Sequence, residues 1–155
     1  MTAPGLLDFV IESNRIEGIR TVRDVELQAH ERLLALPFLT RIELCDFVTL
    51  VAEAPLRDQP GIDVIVGNHY PPRGGTEVRL ALQELLTKIN NSGPGGGITP
   101  YAAHQQYETL HAFLDGNGRS GRAVWAWHML RVGQDPFALP FLQRWYYQSL
   151  DAQRP

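Results

Sequence analysis

The chain has 155 residues, 44% hydrophobic and 20% charged, with a formal net charge of −3 at pH 7. These values fit one folded domain over 1–155 and exclude wholesale disorder. They also exclude a polybasic nucleic-acid binder, which needs clustered Lys and Arg to displace counterions. Cys45 is the only cysteine, so an intrachain disulfide and a Cys-based zinc site are ruled out.

Of the 14 basic residues only Lys88 is a lysine. Arginine grips carboxylate and phosphate through a planar fork, so the question is whether any of the arginines converge. The N-terminal stretch lacks a basic n-region and carries Asp8 and Glu12, unlike a signal peptide. No apolar run reaches ~18 residues, so no membrane span is expected. The expected compartment is the cytoplasm, with export by a signal-less secretion system left open.

The periodicity predicts an all-α chain of about seven helices. Leu6, Leu7, Val10, Ile11 and Asn14 fall on helical spacing over 5–17, and Gly18 is a stop. Thr21 is expected to open a second helix that runs to Pro37. Thr40 and Glu43 form a capping-box pattern before Leu44, Phe47, Val48 and Val51, and that helix should end before Pro55. Residues 61–72 break the pattern: Val64, Ile65 and Val66 are β-branched, and Gly67-Asn68 favours a turn. A short β-hairpin flap is expected there.

A helix follows at about 76–91, then the glycine-rich loop 92–97, which is costly to order. Thr99-Pro100 reads as an N-cap followed by proline at N1, opening a helix to about Phe113. The Asp-Gly-Asn-Gly run at 115–118 must be a loop. A helix at 119–132 and a last one at 140–150, with Trp145, Tyr146 and Tyr147 as core or interface, complete the chain.

The chemistry concentrates at 111–122. His111 lies at a helix end and can act as a base near neutral pH. Asp115 is a hard oxygen ligand suited to Mg²⁺. Gly116, Asn117 and Gly118 run straight into a helix, so their backbone N–H groups and the helix dipole form an anion site. Arg119 and Arg122 leave neighbouring positions on that helix. Positive charge in a first turn opposes the helix dipole, so an anionic partner explains it better than a solvated surface. Together these residues suit a polyphosphate.

Two other phosphate motifs fail. Gly116-x-Gly118-x-x-Gly121 matches a dinucleotide fingerprint, but the residues before it read as helix, not as the required strand. The Walker pattern fails because Lys88 is not preceded by such a loop. His104, seven residues before His111, reads as structural rather than as a metal ligand.

The run His111-x-Phe113-x-Asp115-Gly116-Asn117-Gly118-Arg119-x-x-Arg122 resembles the signature of the Fic family. Eight positions are fixed, and at ~5% per residue type a chance match is on the order of 10⁻¹⁰ per start position. Val66-Gly67-Asn68-His69-Tyr70-Pro71-Pro72 resembles the family's flap. Ala112 stands where the family usually has proline. The resemblance implies a Fic-like helical bundle and a protein adenylyltransferase that moves AMP from ATP to a Ser, Thr or Tyr hydroxyl. It implies His111 as the base, Asp115 as the Mg²⁺ ligand, and Gly116, Asn117 and Gly118 as the anion hole. Arg119 and Arg122 would hold the β- and γ-phosphates. The flap, through Val66, Gly67, Asn68 and His69, would dock the protein target by strand addition. Dimer-linked inhibition is a further option within the family, so a homodimer is one expectation.

Ser13-Asn14-Arg15-Ile16-Glu17-Gly18 resembles the family's inhibitory pattern, (Ser/Thr)-x-x-x-Glu-(Gly/Asn). This implies that the helix at 1–18 is inhibitory, with Glu17 pairing with Arg122 and Ser13 supporting the same face. In some relatives this glutamate positions water to remove AMP, so the reverse reaction is an alternative. A non-enzymatic nucleotide-binding module is a second alternative, although binding alone needs neither His111 nor Asp115. A phosphotransferase of the Doc kind fits less well, because those relatives have lysine where Gly118 stands.

Overall fold

The computed structural model describes residues 5–137. Six helices fill this range: α1 (Leu6–Ile16), α2 (Asp24–Leu34), α3 (Arg41–Ala52), α4 (Thr76–Asn90), α5 (Pro100–Leu110) and α6 (Asn117–Arg131). The all-α expectation holds for them. The seventh expected helix, at 140–150, lies outside the described residues with Trp145, Tyr146 and Tyr147. Among the described residues no helix is long and apolar enough to cross a membrane.

The local signals explain most boundaries. Thr40 Oγ1 accepts the Glu43 N–H at 3.2 Å, and Thr99 Oγ1 accepts that of Ala102 at 3.2 Å, capping α3 and α5. Gly18 closes α1 with a positive φ of 76°, which lets the Ile19 N–H return to the Asn14 carbonyl at 2.9 Å. One start differs: α2 opens at Asp24, not Thr21. Glu26 reaches back to the Arg23 N–H at 2.8 Å and fixes the start there, while the Thr21 carbonyl accepts from the Asn14 side chain at 2.9 Å.

Helix α6 is the centre of the bundle and packs on α5, α2, α1 and α3. Its Arg119–Met129 stretch is buried on every side, which is why it shows no amphipathic stripe. The larger core joins α2 to α5 with Ala123, Val124 and Trp127 of α6. A second cluster sets Leu6, Phe9 and Val10 of α1 against Trp125, Ala126 and Met129. The Phe9 and Trp125 rings stack with centroids 6.5 Å apart. Helix α5 meets α6 closely at Gly121, where a Cβ would land on Glu108 Oε1.

The expected β-hairpin flap is reduced to one turn. Val66 and His69 exchange backbone bonds of 2.9 and 2.8 Å around Gly67 and Asn68, and the pairing stops there. The next pair outward, Ile65 and Tyr70, is exposed. Pro71 and Pro72 have no N–H to extend a ladder. Residues 55–57 instead pair with 112–114: Arg57 N–H donates to Ala112 at 2.8 Å, and Leu114 N–H to Pro55 at 3.1 Å.

Candidate active site

His111 caps α5 in the left-handed region, at φ 50° and ψ 58°. A residue with a Cβ is uncommon there, so something must hold it. Arg57 does. Its side chain is fully buried, and its Nε and Nη2 donate to the His111 and Leu110 carbonyls at 2.7 and 3.0 Å. Nη1 reaches the Pro72 and Ile62 carbonyls at 2.8 and 3.2 Å. His111 itself is half-buried. Burial holds its pKa below the usual 6.5, helped by the nearby Arg57 and His69. A backbone hydrogen bond with Glu108 and the charge of Asp115 oppose that shift.

The chain then turns into α6. Asn117 brackets the turn: its Oδ1 accepts from Phe113 N–H at 2.9 Å and its Nδ2 donates to the Phe113 carbonyl at 2.7 Å. These two bonds make its side chain a brace of the loop. Gly116, at φ 80°, caps α6 where a Cβ would strike Ala52. Asp115 is exposed and accepts the Gly116 N–H at 2.7 Å. No side chain caps α6, so its first-turn N–H groups are left for an anion.

A carboxylate lies at that end. Glu17 Oε1 sits directly over Gly118, where any Cβ would collide with it. The same oxygen accepts from Arg122 Nη2 at 2.8 Å. Arg122 is buried and also donates from Nε to Ser13 Oγ and from Nη2 to the Ser13 carbonyl, both at 2.8 Å. Ser13 and Glu17 are thus brought together with Arg122, over a hundred positions away in the chain, with Gly18 ending the helix behind them. Glu17 thus places a carboxylate beside the first turn of α6.

Arg119 points elsewhere. Its Nη1 donates to the Val51 carbonyl at 2.6 Å, near the C-terminus of α3, with Glu26 Oε1 at 4.0 Å. The flap turn lies beside His111. His69 Nε2 is 2.8 Å from the Thr109 carbonyl, and Val66, Gly67, Asn68 and His69 form the turn.

His104 is structural, as expected. It is buried, and its Nδ1 lies 3.2 Å from the Gly121 carbonyl. No cluster of three or more metal-ligating side chains occurs among the described residues. Mg²⁺ takes one or two carboxylates and completes its shell with substrate phosphate and water. The exposed Asp115, one residue before the N-terminus of α6, fits this demand.

Sequence reasoning missed Arg57 and Glu26. Arg57 gave one faint signal: a lone basic residue in the stretch between Arg41 and Arg73.

A profile of the Fic/DOC family matches residues 27–129, well over half of the chain. The protein adenylyltransferase Fic of Drosophila persimilis is 35% identical over 88 residues, covering 54% of this chain and 17% of that protein. That of Drosophila yakuba is 36% identical over 92 residues, covering 56% of this chain and 18% of that protein. That of Drosophila grimshawi is 35% identical over 88 residues, with 54% and 18% covered. The chain therefore spans less than a fifth of the length of these relatives. With a matched profile over α2 to α6 and a turn built as described, the chain belongs to the Fic/DOC family.

Proposed function

We propose that the chain is a protein adenylyltransferase, moving AMP from ATP to a Ser, Thr or Tyr hydroxyl, and that Glu17 holds it inactive. The observation that carries this reading is the Glu17 carboxylate, 2.8 Å from Arg122 Nη2 and seated over the first turn of α6. A carboxylate marks where an anionic oxygen is stabilised. With Glu17 displaced, the Arg122 guanidinium loses its carboxylate partner and the space over the first turn of α6 opens to phosphate, while Ser13 still holds the guanidinium.

His111, neutral at physiological pH because its pKa is lowered, takes the proton of the attacking hydroxyl. Attack at the α-phosphorus forms the new P–O bond and expels pyrophosphate. Arg122 offsets the growing charge of that leaving group. Arg119 would need to leave the Val51 carbonyl to share this task. Asp115 would hold Mg²⁺, which supplies charge neutralisation on the phosphates. The flap turn would receive the target's backbone.

Incubation with ATP and measurement of intact mass tests the reading. The Glu17→Gly protein should gain one adenylyl group on itself or on a lysate protein, and Glu17→Gly with His111→Ala should gain none. ATP binding without transfer in the Glu17→Gly protein would replace this proposal with a binding module. Removal of AMP by the unaltered chain is a second reading. It is favoured by Glu17 being 38% exposed, so that its carboxylate could also orient a water. Loss of the adenylyl mass from a pre-modified target would identify it.

A further inference from the structure

We propose that Arg57 is a positioning residue that ties the target-docking flap to the base, so that the flap and His111 are set as one unit. The proposal rests on the function proposed above for the assignment of base and flap.

The geometry that carries it is the set of acceptors Arg57 uses. Its side-chain bonds run from one buried planar group to four carbonyls. Two, Leu110 and His111, are terminal carbonyls of α5, where a helix leaves acceptors unpaired and negative potential gathers. The other two, Ile62 and Pro72, are the opposite ends of the flap segment. The backbone continues the same tie: Arg57 N–H donates to Ala112 at 2.8 Å, and the Arg57 carbonyl accepts from Gly75 at 2.9 Å. One guanidinium therefore joins the base of the flap, which the Gly74 N–H to Asp63 Oδ1 bond at 2.8 Å also closes, to the left-handed peptide that carries the imidazole.

This arrangement is more than a buried charge made safe. A buried guanidinium satisfied by a helix end alone would need no flap. A flap closed by its own ladder would need no arginine, but here the ladder is a single pair, 66 with 69. The second tie between flap and α5 is weaker in kind: His69 to the Thr109 carbonyl at 2.8 Å, at an exposed position. Lysine could not replace Arg57, because an ammonium has no planar fork to span acceptors on two segments.

The test uses the Glu17→Gly protein and two derivatives, Arg57→Lys and Arg57→Gln. Calorimetry with ATP and thermal melting come first, since Arg57 contacts neither Arg122 nor the first turn of α6. ATP affinity should stay within about twofold of the parent, while the transfer rate at saturating ATP falls at least about tenfold in both derivatives, because a misplacement of ~1 Å is enough for ~100-fold. Transfer at the parent rate would overturn the proposal, as would a loss of rate that merely tracks a loss of ATP binding.

Hydrogen exchange gives a readout independent of activity. In Arg57→Lys the flap amides of Val66 and His69 and the amide of His111 should lose protection together, with α1 and α6 unchanged. Deprotection of only one group would overturn the tie. If the parent transfers nothing, the proposed function fails, and exchange alone decides the role of Arg57. If neither Arg57 derivative folds, His69→Ala decides. Cutting the exposed tie must leave the His111 amide protected, and its deprotection would assign the tie to His69 instead.

Discussion

Arg122 and Ser13 are joined twice, by Nε to Oγ and by Nη2 to the backbone carbonyl, each at 2.8 Å. Glu17 adds only a third bond to the same guanidinium. Replacing Glu17 by glycine therefore leaves Arg122 still held by α1. Hydrogen bonds to charged groups contribute ~1.5–3 kcal/mol each. Adding Ser13→Ala to Glu17→Gly removes one of these bonds and should raise AMP transfer by a further factor of about 10 or more at subsaturating ATP. Initial rates of the single and double variants decide it. Equal rates would reduce Ser13 to a packing residue.

Gly118 and Glu17 should be coupled in stability. A methyl group at 118 collides with Glu17 Oε1 and presses to 3.0 Å from Arg122 Nη1. Gly118→Ala should therefore destabilise the chain when Glu17 is present. In the Glu17→Gly protein the carboxylate is gone, and the helix preference of alanine, up to ~1 kcal/mol, should win. Urea unfolding of the four proteins would give an interaction energy of about 1–3 kcal/mol. Additive effects would show that the carboxylate does not sit over Gly118 in solution.

The transfer rate should persist into mildly acid buffer. A base works in its neutral form, and a lowered pKa keeps His111 neutral to a lower pH than a free histidine. The rate of the Glu17→Gly protein should fall to half its plateau only at a pH below 6.5. An inflection above 6.5 would contradict the environment described for His111.

The fold itself should weaken in acid before the carboxylates titrate. Burial pushes His30 and His104 each down to about 4, whereas an unfolded histidine titrates near 6.5. Between these values the unfolded chain binds more protons, so stability falls as pH drops through 6.5 and keeps falling toward 4. At ~1.4 kcal/mol per unit, the pair should remove on the order of 4 kcal/mol between pH ~7.5 and ~5. Matching urea midpoints at those two pH values would rule this out.

The helices and the Glu17–Arg122 contact were legible in the sequence because their signals are local or sit in one motif. Thr40, Thr99 and Gly18 mark helix ends by their own backbone chemistry. The pairing of Glu17 with Arg122 followed from a family resemblance, and the geometry places the two side chains in contact. What was not legible depends on distant backbone. Arg57 recognises carbonyls, which every residue has, so no sequence pattern encodes its partners. The two bonds from the Asn117 side chain to Phe113 were not legible either, because they too end on backbone. The β-branched run at 64–66 predicted strands, but a ladder needs a neighbour, and Pro71 and Pro72 deny it one.

The burial of α6 from Arg119 to Met129 has a mechanical consequence. A helix clasped on all sides over that stretch cannot shift its N-terminus without breaking the core, so that end is a fixed datum. Adjustment is left to the two rims around it: α1, which carries Glu17, and the flap, which hangs from Arg57. Under the function proposed above, a change that lifts α1 would uncover Arg122 while α6 itself stays in place, and a change in the flap would leave the Arg122 contacts with Ser13 and Glu17 as they are.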